Sequence, residues 1–330
     1  MDTAQVARKL GLGELRGPVE VLKPDEHSPV WKVTADSGVW ALKVTKPHGD
    51  YWRAVAAQSG KLELAAWKAG IGVPEPLHTE LGEAGLWRPV GEDRYARAMR
   101  FIEGEHPALP LAPPLAAWAG AAVAALEKLA IPADPSVDAD LAVIPEAEWD
   151  EWFGQALDLG VLDMAQAKAF KDAAMRINPM AEESLAKRPE KLVMHRDITA
   201  VNIMLTAEGP MLLDFDWAGP QVPWWEITTV ALSLAGPDLG VMRPERRVFE
   251  ACMTGYAESG GRIGATDESA FTGILFGRLG SAAWELWMAC GHRGGSAEMH
   301  AQFTRSVRAS IGALTDMIEA TPTWATWLRG

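Results

Sequence analysis

Cysteine is scarce: a chain of 330 residues has two, Cys252 and Cys290. Two cysteines cannot build a disulfide framework, and they fit a reducing compartment in which both are buried thiols. Positive charge is also in short supply. Lysine and arginine total 31 against 44 aspartates and glutamates, a formal net charge of -13. A nucleic-acid partner needs a basic surface, so this balance argues against one. It suits solubility and, for a ligand, a cationic small molecule. Long apolar runs are missing as well, since no stretch reaches the ~18 uncharged apolar residues of a membrane-crossing helix. The longest candidate, residues 111–125, is alanine-rich but broken by two prolines and a glycine. The opening Met1-Asp2-Thr3-Ala4-Gln5 has no apolar core of the signal-peptide type. The expectation is a cytoplasmic protein without a membrane partner. What is plentiful is tryptophan, 15 residues, most of which belong in or around a core because each buries a large apolar area. With 48% hydrophobic and 23% charged residues, the composition is that of an ordinary globular chain, not a disordered, collagenous or coiled-coil one.

The first hundred residues read as strands and a helix. Residues 19–23, 30–34 and 39–44 are strand candidates, and Ala35-Asp36-Ser37-Gly38 is a turn signal that joins the last two as a hairpin. Leu62, Ala65, Ala66 and Ala69 stand at helical spacing over 61–69, closed by Gly70 and Gly72. Residues 95–102 are a further strand. Residues 106–114 are proline-rich and read as a connector. Beyond it the pattern turns helical over 115–129, 149–159, 164–177 and 181–186. One β-like island, 192–215, interrupts it, and helices follow to the end. No internal repeat is visible. The plan is a β-rich domain over 1–103 and a larger helical domain over 104–330.

The island carries the chemistry. Ile203-Met204-Leu205 and Met211-Leu212-Leu213 flank the turn Ala207-Glu208-Gly209-Pro210. Folded as a hairpin centred on Glu208, the segment sets Asn202 opposite Asp214, with Cβ atoms ~4.5–5.5 Å apart. An amide oxygen and a carboxylate at that distance suit Mg²⁺, which takes one or two protein carboxylates and leaves room for phosphate oxygens. Asp197 enters this hairpin on a loop and can face the same point to take a proton from a hydroxyl. Zinc on His195 and Asp197 lacks further ligands at a recognisable spacing.

His195-Arg196-Asp197, four residues and Asn202 resemble the H-x-D-x-x-x-x-N catalytic loop of the protein-kinase-like superfamily. Leu213-Asp214-Phe215-Asp216 looks like its metal-binding motif. Ala218-Gly219-Pro220 and the acidic Glu226 complete a likeness to the small-molecule branch, the aminoglycoside phosphotransferases and choline kinases. The resemblance covers most of the chain and implies an α+β, two-lobed protein-kinase-like fold, with a small antiparallel β-rich N-lobe and a larger, mainly helical C-lobe. It implies Asp197 as catalytic base, and Asn202 and Asp214 as Mg²⁺ ligands. Lys43 is similar to the lysine on the α- and β-phosphates, and Glu63 to the glutamate that pairs with it. Residues 99–104 resemble the inter-lobe strand, on which the backbone of Arg100 and Ile102 meets the nucleotide base. No G-x-G-x-x-G lies between the first two strands; residues 23–29 stand there, with Ser28 as phosphate contact. Thr199 replaces the lysine of protein Ser/Thr kinases, and no Ala-Pro-Glu follows, which argues against a protein kinase.

The implied activity moves the γ-phosphate of ATP or GTP to a hydroxyl of a small molecule, cationic or sugar-bearing, with an antibiotic acceptor and a resistance role in first place. A choline- or homoserine-type metabolite kinase is the alternative, and a nucleotide-binding pseudokinase the rival from another class. Trp217, Trp224, Trp225, Trp284, Glu285 and Trp287 fall where the acceptor pocket is expected. Monomer and homodimer both remain open.

Overall fold

The computed structural model describes residues 2–329 apart from 25–27, 48, 92, 138–142, 237–242 and 293. The chain forms two compact units that are discontinuous in sequence. One comprises residues 1–108, 125–138 and 191–221; the other comprises 109–124, 139–190 and 222–330.

The first unit is built on a sheet. Helix α1 (Thr3–Lys9), capped by the Asp2 carboxylate, precedes β1 (Glu20–Lys23), β2 (Val30–Ala35) and β3 (Gly38–Thr45). Helix α2 (Gly49–Lys68) then leads to β4 (Arg88–Gly91) and β5 (Arg94–Arg100). The strand order is β1-β2-β3-β5-β4, and every pairing is antiparallel. The β2–β3 hairpin closes at Ala35 and Gly38, where the turn signal stands. Alternate residues face opposite ways along a strand. Trp40, Leu42 and Val44 therefore pack with Val33, Ala35, Ala96 and Ala98 in one core.

Helix α2 is longer than the 61–69 expected from spacing, because Gly60 is a packing position and not a break. A Cβ there would lie 2.9 Å from the Leu86 amide nitrogen and 3.0 Å from the Gly85 Cα. The same unit holds β6 (Leu192–Met194), β7 (Ile203–Thr206), β8 (Gly209–Leu212) and β9 (Gly219–Gln221). Strand β6 pairs with β9, and β7 with β8. Backbone hydrogen bonds tie this part to the earlier chain; among them, Leu212 N–H donates to the Gly72 carbonyl at 2.7 Å, and Leu205 N–H to that of Glu105 at 2.8 Å.

The β7–β8 register corrects the expected one. Ile203 faces Leu212 and Thr206 faces Gly209. The turn is thus the two-residue Ala207-Glu208, not one centred on Glu208, and Asn202 lies opposite Leu213. The Thr206 hydroxyl, bonded to the Gly209 carbonyl at 2.8 Å and accepting from the Glu208 N–H at 3.1 Å, holds this tighter turn.

The second unit is helical. It takes in α4 (Glu146–Asp158), α5 (Met164–Ala186), α6 (Pro223–Ala235), α7 (Arg246–Glu258), α8 (Thr272–Ala289) and α9 (Ala297–Trp327). Helix α3 (Pro113–Lys128) begins here, and its last residues count with the first unit. The two helices expected over 164–177 and 181–186 are one, α5, with Pro179 inside it. A proline removes one backbone donor and need not end a helix that packing holds on both sides. Helices α3 and α7 cross at Gly120 and Gly255: a Cβ on either would run into the carbonyl oxygen of Cys252 or Ala117. The fold is α+β, an antiparallel β-rich N-terminal part followed by a mainly helical C-terminal part. Among the described residues no helix is long and apolar enough to cross a membrane.

Candidate active site

Lys43 on β3 and Arg97 on β5 are direct register partners. Like charges set opposite one another repel, yet both are buried, at 6% and 2% exposure. Three carboxylates answer them. The Lys43 ammonium lies 3.0 Å from both carboxylate oxygens of Asp214 and 2.5 Å from Asp216 Oδ2. Arg97 donates to Glu63 Oε2 at 2.5 Å and places its other terminal nitrogen 3.2 Å from Asp216 Oδ1. The result is a continuous chain of ion pairs, Glu63–Arg97–Asp216–Lys43–Asp214. Burial works against the charge on Lys43, but Asp216 and Asp214 outweigh it and hold the amine above its ordinary range. Burial pushes the Glu63 carboxyl up, opposed by Arg97. Burial likewise works against ionised Asp214, and Lys43 and Arg97 overcome it, so its carboxyl sits below the usual range.

This chain corrects one expected pairing. Glu63, on α2, is bonded to Arg97 and not to Lys43. Sequence reasoning assigns no role to Arg97 or Asp216. Asp216 stands inside the recognised Asp-Phe-Asp segment. Arg97 is one of three arginines on β5, and nothing but its register with Lys43 sets it apart.

The loop from His195 is held by its own polar atoms. His195 is fully buried, and burial drives its imidazole down to about 4, so the ring is neutral. Its Nε2 lies 3.0 Å from the Leu213 carbonyl, which only accepts. Nε2 therefore carries the hydrogen and Nδ1 is the acceptor, taking the Asp197 N–H at 3.3 Å. Arg196 between them has φ 65, a left-handed conformation that favours glycine. Asn202 Nδ2 donates to the Asp197 carbonyl and to Asp197 Oδ2, both at 2.8 Å. Burial raises the Asp197 carboxyl above its ordinary range, the Asn202 bond lowers it and the nearby Asp214 charge raises it further. Leu213 N–H donates to the Asn202 carbonyl at 2.8 Å, so Asp214 follows directly. Asp214 adopts φ 56, ψ 74 and opens a short 3₁₀ turn, Phe215–Trp217. That left-handed step turns the carboxylate to Lys43 despite the shifted register.

The donor set fits a divalent cation of the hard type. Both Asn202 amide hydrogens are engaged by Asp197, which leaves its Oδ1 as a ligand atom, and Asp214 is ionised with a third of its side chain exposed, 34%. Among the described residues no group of three or more His, Cys, Asp and Glu is set to hold a metal. Such a site needs oxygens from a bound phosphate to complete it.

The remaining candidates are placed less closely. Ser28 is half-buried on the turn before β2, beside residues 25–27, which lie outside the described set. The Arg100 N–H is bonded to the Glu75 carbonyl at 2.7 Å, so the expected backbone donor there is occupied. The Arg100 side chain stacks on Trp40 at 4.2 Å. Ile102 is half-buried beyond the end of β5. Of the tryptophans named for an acceptor, Trp224 is core, its indole bonded to the Ala265 carbonyl at 2.9 Å, whereas Trp217 is 68% exposed.

Comparison with known proteins bears on this arrangement. The chain resembles a spectinomycin phosphotransferase solved with ADP and spectinomycin, at 15% identity and TM-score 0.59, over 94% of this chain and 98% of that one. It resembles an amicoumacin kinase solved with AMP-PNP, Ca²⁺ and amicoumacin, at 13% identity and TM-score 0.62, over 93% of each. A microcompartment-associated aminopropanol kinase matches at 16% identity and TM-score 0.66, over 97% and 98%. At these identities the likeness is one of fold. No curated protein matches the sequence. A family model described as the APH phosphotransferase enzyme family matches residues 19–259. That span takes in the sheet, the buried ion-pair chain and the whole loop from His195 to Asp216, and the chain belongs to the APH phosphotransferase enzyme family.

Proposed function

We propose that the protein transfers the γ-phosphate of ATP or GTP to a hydroxyl of a small molecule, with residues 1–103 holding the nucleotide and 104–330 supplying the catalytic loop and acceptor site. The observation that carries this is the single connected set of Asp197, Asn202, Asp214 and Lys43. Phosphoryl transfer asks for little beyond alignment and charge neutralisation. Lys43 neutralises the α- and β-phosphates, kept charged by its two aspartates. Ser28 contacts phosphate, and the carbonyl of Arg100 with the backbone of Ile102 meets the base. Glu63 serves the site by holding Arg97. Asn202 Oδ1 and the Asp214 carboxylate would hold Mg²⁺, which would supply charge neutralisation to the phosphates; an amicoumacin kinase of the same fold, solved with AMP-PNP and Ca²⁺, supports a divalent cation as partner. Asp197, fixed through both its carbonyl and one carboxylate oxygen, leaves Oδ1 to orient the acceptor hydroxyl and take its proton. Neutral His195, with its tautomer set, anchors the loop and takes no part in proton transfer.

The acceptor is an antibiotic in this reading, which makes the protein a cytoplasmic resistance enzyme. The aminopropanol kinase likeness keeps a small amino alcohol metabolite as the second reading. Asp197→Ala tests the mechanism. It should lower kcat by about 10²–10⁴-fold with nucleotide Kd little changed. Loss of nucleotide binding in proportion to turnover would make Asp197 a structural or metal-binding group instead.

A further inference from the structure

Helices α4, α5 and α8 of the second unit border an open cleft of about 290 Å³, walled by Trp149, Trp152, Asn178, Phe276, Trp284 and Trp287 among others, with no charged side chain among the described residues that line it. Two of these residues hold a buried polar atom that finds no partner among the described residues, Trp149 Nε1 and Asn178 Oδ1. Trp149 is fully buried and Asn178 is 7% exposed. The amide orientation is set, because Asn178 Nδ2 donates to the Ile144 carbonyl at 3.2 Å and an oxygen could not. The walls are pre-formed. The Trp149 ring stacks on Phe153 at 5.5 Å and is edged by Trp152 at 5.5 Å and Phe170 at 5.3 Å. Trp287 stacks on His292 at 5.4 Å, and His292 is bonded to Gln155 at 2.8 Å.

A buried indole N–H almost always has an acceptor. A core of this shape needs neither an indole nor an amide, since phenylalanine and leucine would fill it at lower desolvation cost. Apolar walls with one idle donor and one idle acceptor are the make-up of a small-molecule site. We propose that this cavity binds a neutral, ring-bearing small molecule that offers an acceptor to Trp149 Nε1 and a donor to Asn178 Oδ1. Aromatic alcohols and amides are the matching class. Polycationic amino sugars are not, because no carboxylate lines the cavity among the described residues.

Titration calorimetry of the full chain with benzamide and 4-hydroxybenzyl alcohol tests this, with toluene as a ring lacking both groups. The two polar probes should bind about tenfold more tightly than toluene, the worth of a hydrogen bond or two. Trp149→Phe and Asn178→Leu should each remove most of that advantage and leave toluene binding unchanged. If Trp149→Phe fails to fold, Asn178→Leu carries the test alone. Equal affinity for the three probes, binding of none of them, or unchanged selectivity in the variants would overturn the proposal. Its failure would leave the phosphotransferase reading untouched, since these residues are not those of the Lys43 and Asp197 site.

Discussion

Arg97 illustrates how a residue without a motif can hold a motif in place. It is the link between Glu63 and Asp216, and burial disfavours the charge on Glu63. Arg97→Met should destabilise the protein by about 3–5 kcal/mol, because it strands a buried carboxylate. Arg97→Met combined with Glu63→Met should recover much of that loss, and urea denaturation of the three proteins gives the comparison. His195 makes a second prediction. Its imidazole is held at about 4 in the folded protein against 6.5 ordinarily, so the unfolded chain binds the extra proton. The stability this neutral ring confers is present above about pH 6.5 and is lost as pH falls toward 4, by up to about 3 kcal/mol. His195→Gln should flatten the fall in urea midpoint over that window. Asp197, Asn202 and Asp214 stand out in the sequence through the H-x-D-x-x-x-x-N loop and the Asp-Phe-Asp segment, and Lys43 only through its place on the third strand. Arg97 is not, because its meaning comes from lying beside Lys43 across two strands 54 residues apart in the chain.

At the scale of elements, alternation and turn residues place β2, β3 and β5, and the departures have local causes. Gly60 and Pro179 are breakers by propensity, and in α2 and α5 tertiary packing overrides them. The β7–β8 hairpin differs from expectation by one residue, since its two apolar triplets fit either register and the choice lies in the Thr206 hydroxyl. Glycine in helices offers a paired test. Gly255→Ala should cost about 1–3 kcal/mol or more, because its methyl has no room against α3. A Cβ on Gly277 in α8 would meet nothing within 4 Å, so Gly277→Ala should stabilise by about 0.5–1 kcal/mol through backbone entropy alone. Thermal denaturation of the two variants would show shifts of opposite sign; a matching loss in Gly277→Ala would remove the packing explanation.

At the scale of the whole molecule, the shift from β-rich to helical composition is readable near the proline-rich connector. The discontinuity of the two units is not, because backbone bonds such as Leu205 to Glu105 leave no trace in composition. Both cysteines belong to the helical unit, and they differ in access. Burial pushes the Cys252 thiol up to about 12, while Cys290 is half-buried. A thiol reagent near neutral pH should therefore modify Cys290 in the native protein and reach Cys252 only on unfolding, a difference that peptide mass mapping resolves. The tryptophans differ in the same way. Five are buried, eight are half-buried, and Trp217 and Trp284 are exposed; Trp217, at 68%, directly follows Asp216 of the ion-pair chain. The protein thus carries its own optical reporter. On the proposed function, a nucleotide bound at Lys43 and Asp214 should change the electric field at that indole and its access to acrylamide; emission quenching would then follow binding without a label, and Trp217→Phe supplies the blank.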